Sequence, residues 1–76
     1  MDEKTLLDLV AEILETDVAD VSMADELEAL GWDSLANISF IAEVDDAVGV
    51  TIGADELANA VTVADLQALV NVASGE

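Results

Sequence analysis

Leu6, Leu7, Val10, Ile13 and Leu14 recur at the three- and four-residue intervals of one helix face, while Asp8, Glu12 and Glu15 recur on the opposite side. That pattern predicts an amphipathic helix over roughly Glu3 to Glu15. From Thr16 to Trp32 no period is sustained. Val18, Val21, Leu27 and Leu30 stand apart there, spaced as anchors that pin a long loop over a core, and Asp25 to Leu30 predicts one helical turn ended by Gly31. A second helix is predicted from Asp33 or Ser34 to about Val48. At about 100° per residue, Phe40, Ile41, Val44 and Val48 share one arc with Ile38 at its margin. Leu35, Ala36, Ser39, Ala42, Glu43 and Asp46 lie on the far side, with Asp45 on its flank. One large apolar side chain, Leu35, is therefore expected in solvent among carboxylates.

Gly49 suits the position after a helix end, and Val50-Thr51-Ile52 alternates like a short extended link with two side chains tucked inward. Asp55 to Ala60 predicts a short, weak helix. Thr62 and Asp65 stand in a Thr-x-x-Asp arrangement that resembles a capping box, opening a last helix whose buried face is Val63, Leu66, Leu69 and Val70. Asn71 to Glu76 is expected to fray. No repeat, low-complexity tract or interdomain linker interrupts the chain. The expected fold is all-α: a small four-helix bundle of three main helices and one short one, with a long first loop, in a single domain over residues 1–76.

Composition adds a constraint. Seventy-six residues lie near the lower limit for a self-sufficient core, yet 54% of them are apolar, too many for an acidic disordered tail. Eighteen Asp or Glu face a single basic residue, Lys4, giving a formal net charge of −17. Binding to a nucleic-acid backbone is close to excluded, because there are no cations to displace counterions. An acidic surface instead favours partners with basic patches, and self-repulsion is expected to loosen the fold at low ionic strength. No stretch is long and apolar enough to span a bilayer, and the start Met-Asp-Glu-Lys lacks the basic-then-apolar pattern of a secretory signal, so a cytoplasmic location is expected. With no cysteine and no histidine, the chain has neither a disulfide or thiolate-metal framework nor a native thiol or imidazole for chemistry near neutral pH.

The chemical signal sits at Leu30-Gly31-Trp32-Asp33-Ser34-Leu35. A serine at a helix start is exposed, and an anion attached there meets unpaired N–H groups and the positive end of the helix dipole. Taken alone, Asp33-Ser34 reads more readily as a plain helix N-cap, a role a serine can hold before it is modified. The wider spacing decides: Asp25-x-Leu27-x-x-Leu30-Gly31-x-Asp33-Ser34-Leu35, then Phe40-Ile41-x-x-Val44-x-x-x-Val48-Gly49-Val50-x-Ile52, then Thr62-Val63-x-Asp65-Leu66. This pattern resembles the acyl carrier protein family, of the free-standing kind, over essentially the whole chain.

The resemblance implies that Ser34 carries a covalent 4′-phosphopantetheine arm taken from coenzyme A by a phosphopantetheinyl transferase. The arm's thiol would hold acyl groups as thioesters for fatty acid, polyketide or related pathway enzymes. Asp33 and Leu35 flank the attachment point; Asp33 either caps the helix or engages the metal or basic groups of the modifying enzyme. The protein itself would catalyse nothing and hold no metal. Acyltransferases, ligases and ketosynthases with basic patches are the implied partners, the chain acting as a monomer away from membranes and nucleic acid. The implied docking surface is Leu35, Ala42, Glu43, Asp45, Asp46 and Ile52. No basic residue is placed to neutralise those carboxylates by i,i+4 pairing, which favours a binding role over a merely solvated face. Ala36 and Ser39 are neutral where well-known fatty acid carriers are often acidic, and Glu43 is an added acid. Gly53 stands where many carriers have proline, which loosens the turn there. Trp32 is read as an amphipathic side chain packing on the loop, its alternative being a shield for the arm or a partner contact.

Competing functions fit less well. A calcium-binding EF-hand loop needs oxygen ligands at positions 1, 3 and 5 and glycine at 6; starting at Asp17 these are Ala19, Val21 and Ser22, and starting at Asp45 positions 3 and 5 are Ala47 and Gly49. An acidic adaptor or nucleic-acid mimic fits the charge but leaves the ordered motif to coincidence. A hydrolase built on Glu43, Asp45 and Asp46 lacks a cleft to raise a pKa. Peptidyl or aminoacyl carriers are the closest rivals, although they more often show a Gly-Gly-x-Ser core and less acid.

Overall fold

The computed structural model describes residues 1–75. Four α-helices follow in order: α1 Glu3–Leu14, α2 Ser34–Val48, α3 Ala54–Ala58 and α4 Val63–Ala73, with 3₁₀ turns at Val18–Asp20 and Glu28–Leu30 in the loop between α1 and α2. The architecture is the expected four-helix bundle with a long first loop, and no strand forms among the described residues. α2 packs against α1 and α3, and α3 also against α4. Leu6 and Val10 of α1, Phe40 and Val44 of α2, Leu57 of α3, and Val63, Leu66 and Val70 of α4 are wholly buried at the centre.

Side-chain caps open α1, α2 and α4, whereas α3 starts after Gly53 without one. The Asp2 carboxylate accepts from the Thr5 N–H at 2.8 Å to open α1, and hydrogen bonding from Thr5 holds that carboxyl below the ordinary carboxylate range. The capping box of α4 is complete. Asp65 N–H donates to Thr62 Oγ1, while Asp65 Oδ2 accepts from the N–H groups of Val61 (2.9 Å) and Thr62 (3.1 Å). Those two backbone donors lower the Asp65 pKa. At the end of α2, Gly49 turns left-handed (φ 68°) and its N–H donates to the Asp45 carbonyl at 2.9 Å. α1 ends one residue earlier than expected, with Glu15 itself in the left-handed region (φ 56°) and Thr16 N–H closing onto the Ala11 carbonyl at 2.9 Å.

Several side chains depart from the pattern-based expectation. On α2 the buried arc is Ala36, Phe40 and Val44, rotated toward Ala36, so Val48 is half in solvent (42% exposed) and Ile38 lies fully on the surface (64%). The cause is composition: apolar residues surround this helix on all sides, and spacing alone does not fix which of them face inward. In α1, Leu9 and Ala11 join Leu6 and Val10 in the core, while Leu7, Ile13 and Leu14 are half-buried. Leu69 is likewise half-buried. α3 spans Ala54–Ala58, one residue earlier at its start and two at its end than the pattern suggested. α4 runs three residues into the segment expected to fray, and Glu76, at the end of that segment, lies outside the described residues.

Val18, expected to anchor the first loop, is exposed, whereas Val21 and Leu27 are buried. Leu30, Met23 and Trp32 are half-buried against the core, and the backbone adds further ties. Leu27 N–H donates to the Val61 carbonyl at 2.8 Å, and Val63 and Ala64 N–H donate to the Asp25 and Met23 carbonyls at 3.0 Å each. An isolated antiparallel pairing of Glu26 with Thr62 results.

Two stability effects follow. Glu15→Gly relieves a left-handed side-chain residue, worth about 1 kcal/mol, and removes an acid from the negative end of α1; the urea midpoint is expected to rise. The longest dimension of the molecule is 29 Å, comparable to a Debye length of about 30 Å at 0.01 M salt. All eighteen acids therefore repel one another at low salt, and adding NaCl is expected to raise the thermal midpoint, most steeply below about 0.15 M where the Debye length falls to about 8 Å.

Candidate functional site

The path to Ser34 is set by three consecutive residues. Gly31 turns left-handed (φ 81°), which ends the Glu28–Leu30 turn and sends the chain toward α2. Trp32 N–H then donates to the Leu27 carbonyl at 3.0 Å. Asp33 is extended and caps α2: its Oδ1 accepts from Ala36 N–H at 2.9 Å, and its carbonyl from Asn37 N–H at 3.0 Å.

Because Asp33 takes the cap, Ser34 becomes the first helical residue and its hydroxyl is released from that task. Ser34 is exposed, and its Oγ has no hydrogen-bond partner among the described residues. The N–H groups of Ser34 and Leu35 likewise have no acceptor there, as the geometry of a helix start dictates. The capping residue of α2 is thus Asp33 and not Ser34.

Along α2, Leu35 is 72% exposed as anticipated, and Ala42, Glu43, Asp45 and Asp46 are also exposed. Ile52 is not: at 3% exposure it belongs to the core, because the extended link after Gly49 turns this side chain under the bundle. Its place on the surface is taken by Ile38, which the sequence reading assigned to the core margin. The i, i+3, i+7 spacing of Leu35, Ile38 and Ala42 was the available signal for one exposed apolar stripe.

Trp32 is half-buried, and its ring meets Phe40 edge-on with centroids 5.9 Å apart and planes at 69°. Its indole N–H donates to Asn37 Oδ1, a contact no spacing rule announces. Both residues line an open cleft of about 250 Å³, together with Leu27, Leu57 and Val61 and the exposed Glu26 and Glu28. That volume falls below the roughly 300–1,000 Å³ of sites that enclose drug-sized ligands. Among the described residues no group of three or more carboxylates is placed to hold a metal ion.

An all-helical bundle that presents an uncommitted serine at the start of an acidic helix has the form of a prosthetic-group carrier. The family model described as "Phosphopantetheine attachment site" matches residues 4–70, and the chain belongs to that carrier-protein family. No curated protein and no solved structure gives a significant match. The family's cofactor is covalently attached 4′-phosphopantetheine, and the residues present suit it. An exposed hydroxyl beside two free N–H groups, at the positive end of a 15-residue helix, accommodates the anionic phosphodiester of such an arm.

The cap itself is testable. Asp33→Ala removes the acceptor for Ala36 N–H and is expected to cost about 0.5–2 kcal/mol in urea unfolding, while Asp33→Asn, which keeps an acceptor oxygen, stays close to the native value.

Proposed function

We propose that this protein is an acyl carrier, with Ser34 Oγ as the atom that bears the arm. The observation that carries this reading is the division between Asp33, whose carboxylate caps α2, and Ser34, whose hydroxyl is exposed and uncommitted. Attached 4′-phosphopantetheine supplies a thiol that holds acyl groups as thioesters, a function the chain has no cysteine to provide. The unpaired N–H groups of Ser34 and Leu35 steady the negative charge next to the ester oxygen. Asp33 fixes the first turn of α2 and so fixes where Ser34 Oγ points.

Docking is assigned to the exposed face of α2. Leu35 with Ala42 offers an apolar contact, and Glu43, Asp45 and Asp46 attract basic patches on the phosphopantetheinyl transferase and on acyl-transferring and condensing enzymes. Ile38 joins this face and Ile52 leaves it. The chain contributes no general acid, base or nucleophile to acyl transfer; its role is delivery. The Leu30-Gly31-Trp32-Asp33-Ser34-Leu35 run and the heavy acid content favour acyl over peptidyl or aminoacyl cargo.

Incubation with coenzyme A, Mg²⁺ and a promiscuous phosphopantetheinyl transferase is expected to add one phosphopantetheinyl group by intact mass, with none added to Ser34→Ala. Loading the product in turn with acyl and aminoacyl donors and their ligases separates the two cargo classes. A folded, initially unmodified protein that gains no mass in an active reaction refutes the assignment.

A further inference from the structure

We propose that Trp32 and Asn37 form a clamp across the Ser34 turn and are positioning residues for its modification, an inference that rests on Ser34 being the attachment site. Three hydrogen bonds hold the first turn of α2: Ala36 N–H to the Asp33 carboxylate, Asn37 N–H to the Asp33 carbonyl, and Trp32 Nε1–H to Asn37 Oδ1. The first two tie the turn to its own cap residue, so they move with it. Only the third reaches back past Asp33 into the loop. It joins the residue two before Ser34 to the residue three after it.

Trp32 is well fixed to serve as the outer half of that clamp. Its backbone N–H is held by the Leu27 carbonyl, and its ring rests edge-on against Phe40, which is wholly buried. Leu27 is in turn bonded to Val61 ahead of α4. A continuous set of contacts therefore runs from the α4 entrance through Trp32 to Asn37. Just before Trp32 stands Gly31, left-handed and with no atom within 4 Å of where a Cβ would sit, so the loop has no packing of its own at that point. Helix starts fray, and a reacting hydroxyl misplaced by about 1 Å loses rate steeply. The clamp restrains that motion while leaving Ser34 and Leu35 themselves in solvent.

The consequence is a separation of roles in the transferase reaction. Exposed side chains of α2 govern encounter and hence KM, whereas the clamp governs how often Ser34 Oγ is presented correctly and hence kcat. Trp32→Phe removes the donor while keeping a smaller ring against Phe40, and Asn37→Leu removes the acceptor together with the amide N–H groups while remaining helix-compatible. Each is expected to lower kcat about threefold to tenfold with KM unchanged, the range for one hydrogen bond. The double variant is expected to lose no more than either single one, because both delete the same bond.

The chain has one tryptophan, so its single indole N–H resonance reports the clamp directly in unmodified protein, with or without any transferase reaction. Loss of its protection from solvent exchange in Asn37→Leu, with faster amide exchange at Ser34 and Leu35, is the expected accompaniment. Additive losses in the double variant, an unchanged kcat, a rise in KM alone, or an indole N–H equally protected in Asn37→Leu each overturn the clamp. Failure of the unsubstituted protein to be modified at Ser34 refutes the attachment assignment instead, and the exchange measurement then still decides whether the clamp restrains the turn.

Discussion

Backbone hydrogen bonds between the first loop and the entrance to α4 carry the site. The loop from Glu15 to Asp33 sinks Val21 and Leu27 into the core and packs Met23, Leu30 and Trp32 against it, but Val18 stays in solvent. Leu27 to Val61, Val63 to Asp25 and Ala64 to Met23 add three peptide contacts of 2.8–3.0 Å that fix the loop's register on the entrance to α4. Those carbonyls and N–H groups belong partly to the start of α4, where unpaired donors are inevitable. The loop satisfies two of these donors, at Val63 and Ala64, while the capping box satisfies the Asp65 N–H and places the side chain on Val61 and Thr62. One junction thus orders a helix start and a long loop together. Since Trp32 hangs from the Leu27 carbonyl, the position of Ser34 is inherited from it.

Charge sets the opposing demand. A net charge of −17 on a molecule with a radius of gyration of 11.0 Å disfavours compaction, and Lys4 cannot offset it. The fold answers with a core in which no polar or charged residue is buried among the described residues, built from Leu, Val, Ile, Ala and a single Phe. Carboxylates are used locally where they help: Asp2, Asp33 and Asp65 each cap a helix start, at the positive end of its dipole. Among the described residues, Glu43, Asp45 and Asp46 on the outer face of α2 make no such bond and add only to the repulsion.

The sequence made the helices legible because their polar and apolar residues recur at helical intervals, and it made the caps legible because Asp33, Thr62 and Asp65 stand at fixed offsets from the helix starts. The facing of α2 was harder. Leu35, Ala36, Ile38, Phe40, Ile41, Val44 and Val48 encircle the helix, and only the packing of Phe40 against its neighbours selects among nearly equivalent rotations. Ile52 carries two conflicting expectations: the alternation of Val50-Thr51-Ile52 turns it inward, as the structure has it, and only the docking face implied by the family resemblance placed it outside. The loop attachment was invisible because it uses main-chain groups, which every residue has. Asn37 carries no signal in the sequence because a lone amide on a helix has no distinguishing spacing; only its bond from the Trp32 indole sets it apart.

Adjacent side chains with different duties give the site its logic. A serine that caps its own helix has its oxygen turned toward the backbone and shared with an N–H, which competes with any reaction at that oxygen. Shifting the helix start by one residue removes the conflict: Asp33 makes the 2.9 Å bond to Ala36 N–H, and Ser34 enters the helix with its hydroxyl free. The same shift leaves the Ser34 and Leu35 N–H groups open, so the position best able to hold an anion is also the one whose oxygen is available to acquire it. The acid at 33 and the serine at 34 thus divide two tasks, the cap and the open hydroxyl, that a single residue at the helix start could not perform together.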